Sequence, residues 1–250
     1  MAWIGTGNPH KPALLLVPPP PFGPELLAPV ARVLSDRFWV QLPETPSLPT
    51  PEQVLEAVHA SAPRPALVVL AGFAGPLLLP SLARDADDIA GVVLLGGPVS
   101  WRLARTSSFA EWYGRHVSLL RDLEPEDRCA LLVHRLGRSR ARPLPDPVHK
   151  VVACSPTPDL APLDRVLHGE PPGSETEAPE LPVLVVVGGD DRTLETDGVG
   201  GELTAACPDV RTVALPSVGH LPGLEAPDLV SSIITGFAAE PVERWPLRRS

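Results

Sequence analysis

Several residue classes are scarce in this 250-residue sequence, and each scarcity excludes something. There are three cysteines, Cys129, Cys154 and Cys207, and no Cys-x-x-Cys pair. Cysteines so few and so scattered build neither a disulfide framework nor a zinc site, so no metal is expected. Aromatic residues make up 4% of the chain, which leaves little for a base-stacking surface. Lysine occurs only at Lys11 and Lys150, and Lys+Arg 21 against Asp+Glu 30 gives a formal net charge of −9. An acidic chain is repelled by a phosphate backbone, so nucleic acid is excluded as a partner. No apolar run approaches the roughly 18 residues that span a bilayer, so no membrane association is expected. The apolar run Ala13–Val17 stops at prolines and no basic segment precedes it. No signal peptide is therefore expected, and the cytoplasm is the expected compartment.

Hydrophobic residues at 44% and charged residues at 20% describe a globular chain with a sizeable core. A chain of this length buries about three quarters of its unfolded surface and needs no crosslink to hold together. Proline is abundant at 34 residues and clusters between the apolar segments, so stiff connections are expected.

Six short apolar runs bounded by Pro and Gly read as buried parallel strands: Ala13–Val17, Arg37–Gln41, Ala66–Ala71, Ala90–Leu95, Val183–Val187 and Arg211–Leu215. Helical spacing of apolar residues lies between them, over Leu26–Leu34, Pro51–Ser61, Leu77–Arg84 and Pro227–Phe237. This alternation predicts an α/β fold, a doubly wound, mostly parallel six-stranded sheet with helices on both faces. It breaks once, between Trp101 and Glu180, where amphipathic patterns at Phe109–Leu123 and Glu126–Arg135 lead into an Arg- and Pro-rich stretch, Arg138–Pro147. The segment Pro171–Pro182 reads as a linker. Residues 101–180 are expected to be a helical lid inserted into a core of 1–100 and 181–250. Ligands in open α/β sheets bind outside the carboxyl ends of the strands, the end such an insertion would roof.

Two late segments are more specific. Leu181–Leu194 reads LPVLVVVGGDDRTL, and Val213–Pro227 reads VALPSVGHLPGLEAP. With the element order, they resemble the α/β-hydrolase superfamily over nearly the whole chain. In that family a strand ends in Gly-x-x-Asp, here Gly188 to Asp191, and the acid orients a His that follows the last strand, here His220. The resemblance therefore implies Asp191 and His220 as the acid and base of a catalytic triad. The physical reason is general: a carboxylate that accepts from one imidazole nitrogen fixes the tautomer and frees the other nitrogen to take a proton. Asp190 is the neighbouring alternative to Asp191.

The sequence departs from the family where the nucleophile belongs. That residue should stand in Gly-x-Ser-x-Gly at a tight strand-to-helix turn. Val69–Pro80 reads VLAGFAGPLLLP and puts Ala74 at the nucleophile position, or Phe73 or Gly75 if the frame slips by one. None carries the activated oxygen or sulfur that acyl transfer needs. The oxyanion loop is also altered: Val17–Pro24 reads VPPPPFGP, and Pro18 to Pro21 have no N–H to donate. Only Phe22 and Gly23 in that loop, and Gly75 after the turn, remain as donors. Phe73, Ser100 and Trp112 complete the expected lining of a substrate pocket; Trp101, Trp112 and Tyr113 serve equally well as packing between lid and core. The cluster Arg138–Arg142 reads as a solvated loop. Three readings follow: a non-hydrolytic enzyme of lyase, cyclase or isomerase type that uses the His220–Asp191 dyad as a base on a small hydrophobic molecule; a dead hydrolase that binds a ligand; or an esterase or thioesterase whose serine has been replaced. The first is favoured. No cofactor is expected, because the glycine pattern after the first strand lacks a dinucleotide fingerprint.

Overall fold

A computed structural model describes residues 1–45, 47–61, 65–84, 87–136, 159–169, 181–193 and 209–239. The strands are β1 (Trp3–Thr6), β2 (Ala13–Val17), β3 (Trp39–Pro43), β4 (Ala66–Ala71), β5 (Ile89–Leu95), β6 (Val183–Gly188) and β7 (Val210–Leu215). They form one seven-stranded sheet in the order β1-β3-β2-β4-β5-β6-β7. Every pairing is parallel except β1 with β3, where Trp3 lies opposite Pro43 and Thr6 opposite Val40. The expected sheet of six strands thus gains an antiparallel edge strand. Sequence pattern misses it because Ile4, Gly5 and Thr6 are all exposed, so β1 shows no apolar face. The second expected strand also moves: Arg37 and Phe38 donate their N–H groups back to Leu34 and close the preceding helix, so β3 starts at Trp39.

The helices are α1 (Ala28–Leu34, entered through a 3-10 turn at Pro24–Leu27), α2 (Pro51–Ala60), α3 (Ala74–Leu82), α4 (Trp101–Thr106), α5 (Ser108–Asp122), α6 (Pro125–Leu136), α7 (Ala161–His168), α8 (Pro222–Glu225) and α9 (Pro227–Ala238). α2 starts where it does because Thr50 and Gln53 form a reciprocal capping box. Along β2 the side chains alternate between two cores. Ala13, Leu15 and Val17 join the core under α2 and α3, while Leu14 and Leu16 join the core under α1 and α9. α4 to α7 lie in sequence between β5 and β6, and their buried residues Trp101, Phe109, Tyr113, Leu132 and Leu163 belong to the first of these cores. The Tyr113 hydroxyl donates to Asp164 at 3.0 Å and Arg121 reaches the other Asp164 oxygen at 2.9 Å, tying α5 to α7. Burial first, and then the Asp164 charge, push the Tyr113 hydroxyl well above its ordinary range. The stretch Arg138–Pro147, the linker up to Glu180, Cys154 and Cys207 lie outside the described residues.

One contact ties this helical segment to α3. Pro80 lies inside α3 and has no N–H, so the Pro76 carbonyl four residues earlier has no helical donor. The buried Trp101 indole takes that place and donates Nε1–H to Pro76 O at 2.9 Å. Trp101→Phe is expected to orphan that carbonyl and lower the urea-unfolding free energy by about 1–3 kcal/mol. In a Pro80→Ala background the loss is expected to shrink, because the replacement supplies an N–H at position 80. An equal loss in both backgrounds would mean the indole acts only by packing.

Candidate active site

The carboxyl ends of β4, β5, β6 and β7 meet at one edge of the sheet, and four connections crowd there. The first is the turn from β4 to α3. Its single left-handed residue is Gly72, at φ 55°, directly after the strand. A sharp turn of this kind is where a nucleophile elbow holds its side chain out of the helix. The apex is therefore Gly72, not Ala74: Ala74 is the first residue of α3 and is fully buried, Phe73 precedes it with helical backbone angles, and Gly75 lies within the helix. The elbow carries no side chain at all.

The proline loop explains why. A Cβ at Gly72 would stand 2.8 Å from Pro19 Cβ, closer than real carbon atoms approach. From the opposite side, a Cβ at Gly97 would stand 2.6 Å from Gly72 Cα. Gly97, at φ 94°, follows β5 and shares its left-handed region with no other residue type readily. The elbow is thus clamped between the loop after β2 and the loop after β5. The donors expected for an oxyanion are also occupied. Phe22 N–H bonds Pro19 O at 2.9 Å, Gly23 N–H bonds a Glu25 carboxylate oxygen at 3.1 Å, and Gly75 N–H bonds Gly72 O at 3.3 Å.

The acid and base, by contrast, come together. Asp191 and His220 are 7% and 2% exposed, whereas Asp190 is exposed. His220 Nδ1 lies 2.8 Å from Asp191 Oδ2 and 2.8 Å from Thr193 Oγ1. The other carboxylate oxygen, Oδ1, accepts from Thr193 N–H at 2.8 Å and from Thr193 O–H at 2.6 Å. Because the threonine hydroxyl donates to the carboxylate, the Nδ1–H is shared between Asp191 and Thr193, and Nε2 is left as the acceptor nitrogen. Burial alone would raise the Asp191 carboxyl; the charge and hydrogen bond of His220 and the two Thr193 donors outweigh it and hold the group below the usual carboxylate range. The His loop is set from both sides by Glu225 of α8, whose carboxylate accepts from Gly219 N–H at 2.9 Å and Leu221 N–H at 3.2 Å.

Aromatic rings line one side of the imidazole. Phe73 lies 5.8 Å from His220, Phe109 lies 5.2 Å from Phe73, and Trp112 lies 5.7 Å from Phe109. Trp112 therefore reaches the dyad only through two other rings, with its own face stacked on His116 at 4.9 Å. Ser100 follows β5 by five residues, and its hydroxyl caps α4 by accepting from Leu103 N–H at 3.1 Å. The sequence pattern did not single out Gly72, Thr193 and Glu225, and it marked Pro19 only for its missing N–H. Only Thr193 left a local signal, the Asp-x-Thr spacing of an Asx turn.

Two cavities border this region. The one at His220, lined by Pro19, Leu26, Gly72, Leu221 and Leu224, measures about 10 Å³, room for one water at most. The other, about 850 Å³, lies between α4, α5, the end of α7 and the loop after β6, and among the described residues it meets the dyad through Thr193. Among the described residues no cluster of His, Cys, Asp and Glu could hold a metal ion, and no helix is long and apolar enough to cross a membrane.

Solved structures of known proteins share this architecture. An esterase from Thermogutta terrifontis is 22% identical, with 95% of this chain and 92% of that one covered and a TM-score of 0.70. A hydrolase from Pseudomonas aeruginosa is 20% identical over 95% and 94%, with a TM-score of 0.71. An α/β-hydrolase-fold protein from Burkholderia ambifaria is 18% identical over 94% and 93%, with a TM-score of 0.63. No protein-family model matches the sequence, and no curated protein matches it. The chain has the α/β-hydrolase fold.

The Asp191 carboxyl fixes the sign of a pH effect. Its folded-state pKa is depressed, so the unfolded chain binds the proton more readily and stability rises with pH across this range. The contribution is present in full above about pH 4, the ordinary carboxylate value, and is lost as pH falls through the folded value. Urea midpoints measured from neutral pH downward are expected to fall below about pH 4, and Asp191→Asn is expected to flatten that limb. A variant that keeps the wild-type acid limb would remove Asp191 from the account.

Proposed function

We propose that this chain binds a small molecule and carries out no acyl transfer, a hydrolase-fold protein whose nucleophile site is closed. One observation carries the reading: Gly72 at the elbow is packed against Pro19, so neither a nucleophile nor the room for one is present. The occupied N–H groups of Phe22, Gly23 and Gly75 support it. So does the small size, about 10 Å³, of the cavity that the described residues form at His220, while the cavity of about 850 Å³ is of a size that suits small ligands. The esterase and hydrolase names of the structural neighbours are not carried over, because a shared fold hosts many chemistries. A serine lost from an otherwise working esterase does not fit either, since the proline loop occupies the space that serine needs.

One observation favours a second reading, the non-hydrolytic enzyme. His220 Nδ1 is committed to Asp191 and Thr193, which leaves Nε2 as a base of fixed tautomer. A general base of this kind contributes roughly 10²–10⁴-fold to a proton transfer. It ranks second because the cavity that the described residues form beside the imidazole measures about 10 Å³, the room of one water.

The wild-type protein is expected to resist fluorophosphonate labelling and to leave aryl esters intact. Gly72→Ser alone is expected to stay unlabelled and to lose about 1–3 kcal/mol of stability by overpacking on Pro19. Pro19→Gly in the same chain is expected to recover most of that loss. Stoichiometric labelling of the wild type or of Gly72→Ser would overturn the closed-site reading. A ligand found by thermal-shift screening is expected to be recovered unchanged; conversion by wild type but not by His220→Ala would install the second reading instead.

A further inference from the structure

The larger cavity has walls of two kinds. Leu103, Ala110 and Leu167 present apolar surface, and Arg105, Glu111, His168 and Arg192 bring charge or a titratable ring. Most of that polarity is already committed. The Arg105 guanidinium donates to the Val166 carbonyl at 3.4 Å and to the Gly169 carbonyl, and it lies 5.3 Å over the Trp101 ring. The Glu111 carboxylate is paired with Arg115 at 3.4 Å, one turn along α5. Ser107 caps α5 through Ala110 N–H, and the Ser108 hydroxyl donates to the Arg192 carbonyl at 2.6 Å. The Thr193 hydroxyl belongs to the dyad. Two polar side chains remain: the Arg192 guanidinium and the His168 imidazole have no hydrogen-bond or ion-pair partner among the described residues.

Among the described residues the charged side chains of this cavity are Arg105, Arg192 and Glu111, so cations outnumber the one anion in a chain of net charge −9. This balance matches one ligand class. Resting on the binding reading above, we infer that this cavity takes an organic carboxylate with a short apolar body. Arg192 is the recognition group, because a guanidinium fork presents paired donors to a carboxylate. His168 supplies a second donor, and Leu103, Ala110 and Leu167 face the hydrocarbon. Arg192 directly follows Asp191, and Thr193 forms part of the same wall. A ligand held there abuts the threonine that shares the His220 proton.

Isothermal titration of the full chain with octanoate, 1-octanol and inorganic phosphate tests this. Octanoate is expected to bind at least tenfold tighter than octanol. Arg192→Gln is expected to abolish that difference and His168→Gln to reduce it. Arg165→Gln, an exposed arginine outside the cavity, makes the same change in net charge and is expected to leave it intact. Octanol binding as tightly as octanoate would overturn the carboxylate inference and leave the binding reading standing. Phosphate binding as tightly as octanoate would overturn the apolar body. Octanoate binding that is indifferent to Arg192 would overturn the placement. If neither chain binds, the inference falls, and the thermal-shift screen alone then decides the binding reading.

Discussion

Pro19, Gly72 and Gly97 bring three backbones together at the carboxyl edge of the sheet, and much of the site follows from that approach. The loop after β2 can lie on the elbow only because the elbow has no side chain. The loop after β5 can lie on the other side only because Gly97 has none. A fourth chain joins from the far side, since a Cβ at Gly96 would run into the His220 carbonyl and the Pro222 ring. The β6 end behaves likewise, with Gly188 packed against the backbone of Val218 and Gly219. Side chains are missing where, in the hydrolase arrangement, a reacting serine and its substrate would need space. On the proposed reading the steric constraint and the chemical deficit are one fact, since any side chain at Gly72 would have to displace Pro19.

The same loops sort the chemistry into two halves. On the proposed reading, three parts needed to attack a carbonyl and hold the resulting charge are gone or occupied: the nucleophile, the room around it, and the Phe22 and Gly23 donors of the proline loop. Everything needed to fix an imidazole is present, with Asp191 and Thr193 on one side and Glu225 across the backbone on the other. An acyl-transfer enzyme needs both halves, because a base without a nucleophile and an oxyanion site forms no acyl intermediate.

The fold was readable because buried parallel strands advertise themselves. ALLLV, ALVVLA and VLVVV are continuous apolar runs between Pro and Gly, and each lies in a strand of the sheet. β1 was not readable because it is exposed and has no such run. The acid–base pair was readable because two strand-end motifs occur in the right order. The elbow was readable as degenerate but not in its register. Gly72, Phe73, Ala74 and Gly75 offer no side-chain chemistry to mark the apex, and only the positive φ at Gly72 does so. Pro19 was visible as a residue lacking an N–H; its packing on Gly72 is a long-range contact that no local pattern encodes. Ser100 was read as pocket lining, and its hydroxyl caps α4, a local bond that apolar patterning does not mark.

A retained Asp–His pair is usually taken as the mark of an active hydrolase, but here its bonds account for it without catalysis. A buried carboxylate is costly unless its oxygens are satisfied, and both oxygens of Asp191 are. The bonds join residues of the loop after β6 to one residue of the loop after β7, and Glu225 then holds that second loop at Gly219 and Leu221. Removing either member would leave a buried polar group unpaired and release two loops that cover the sheet's edge. Such a staple persists whether or not a proton ever moves through it. That is why the proposed reading ranks binding above base catalysis: the network's structural role is complete within the protein, while a catalytic role needs a substrate at a cavity where Pro19, Leu26 and Leu221 leave room for one water.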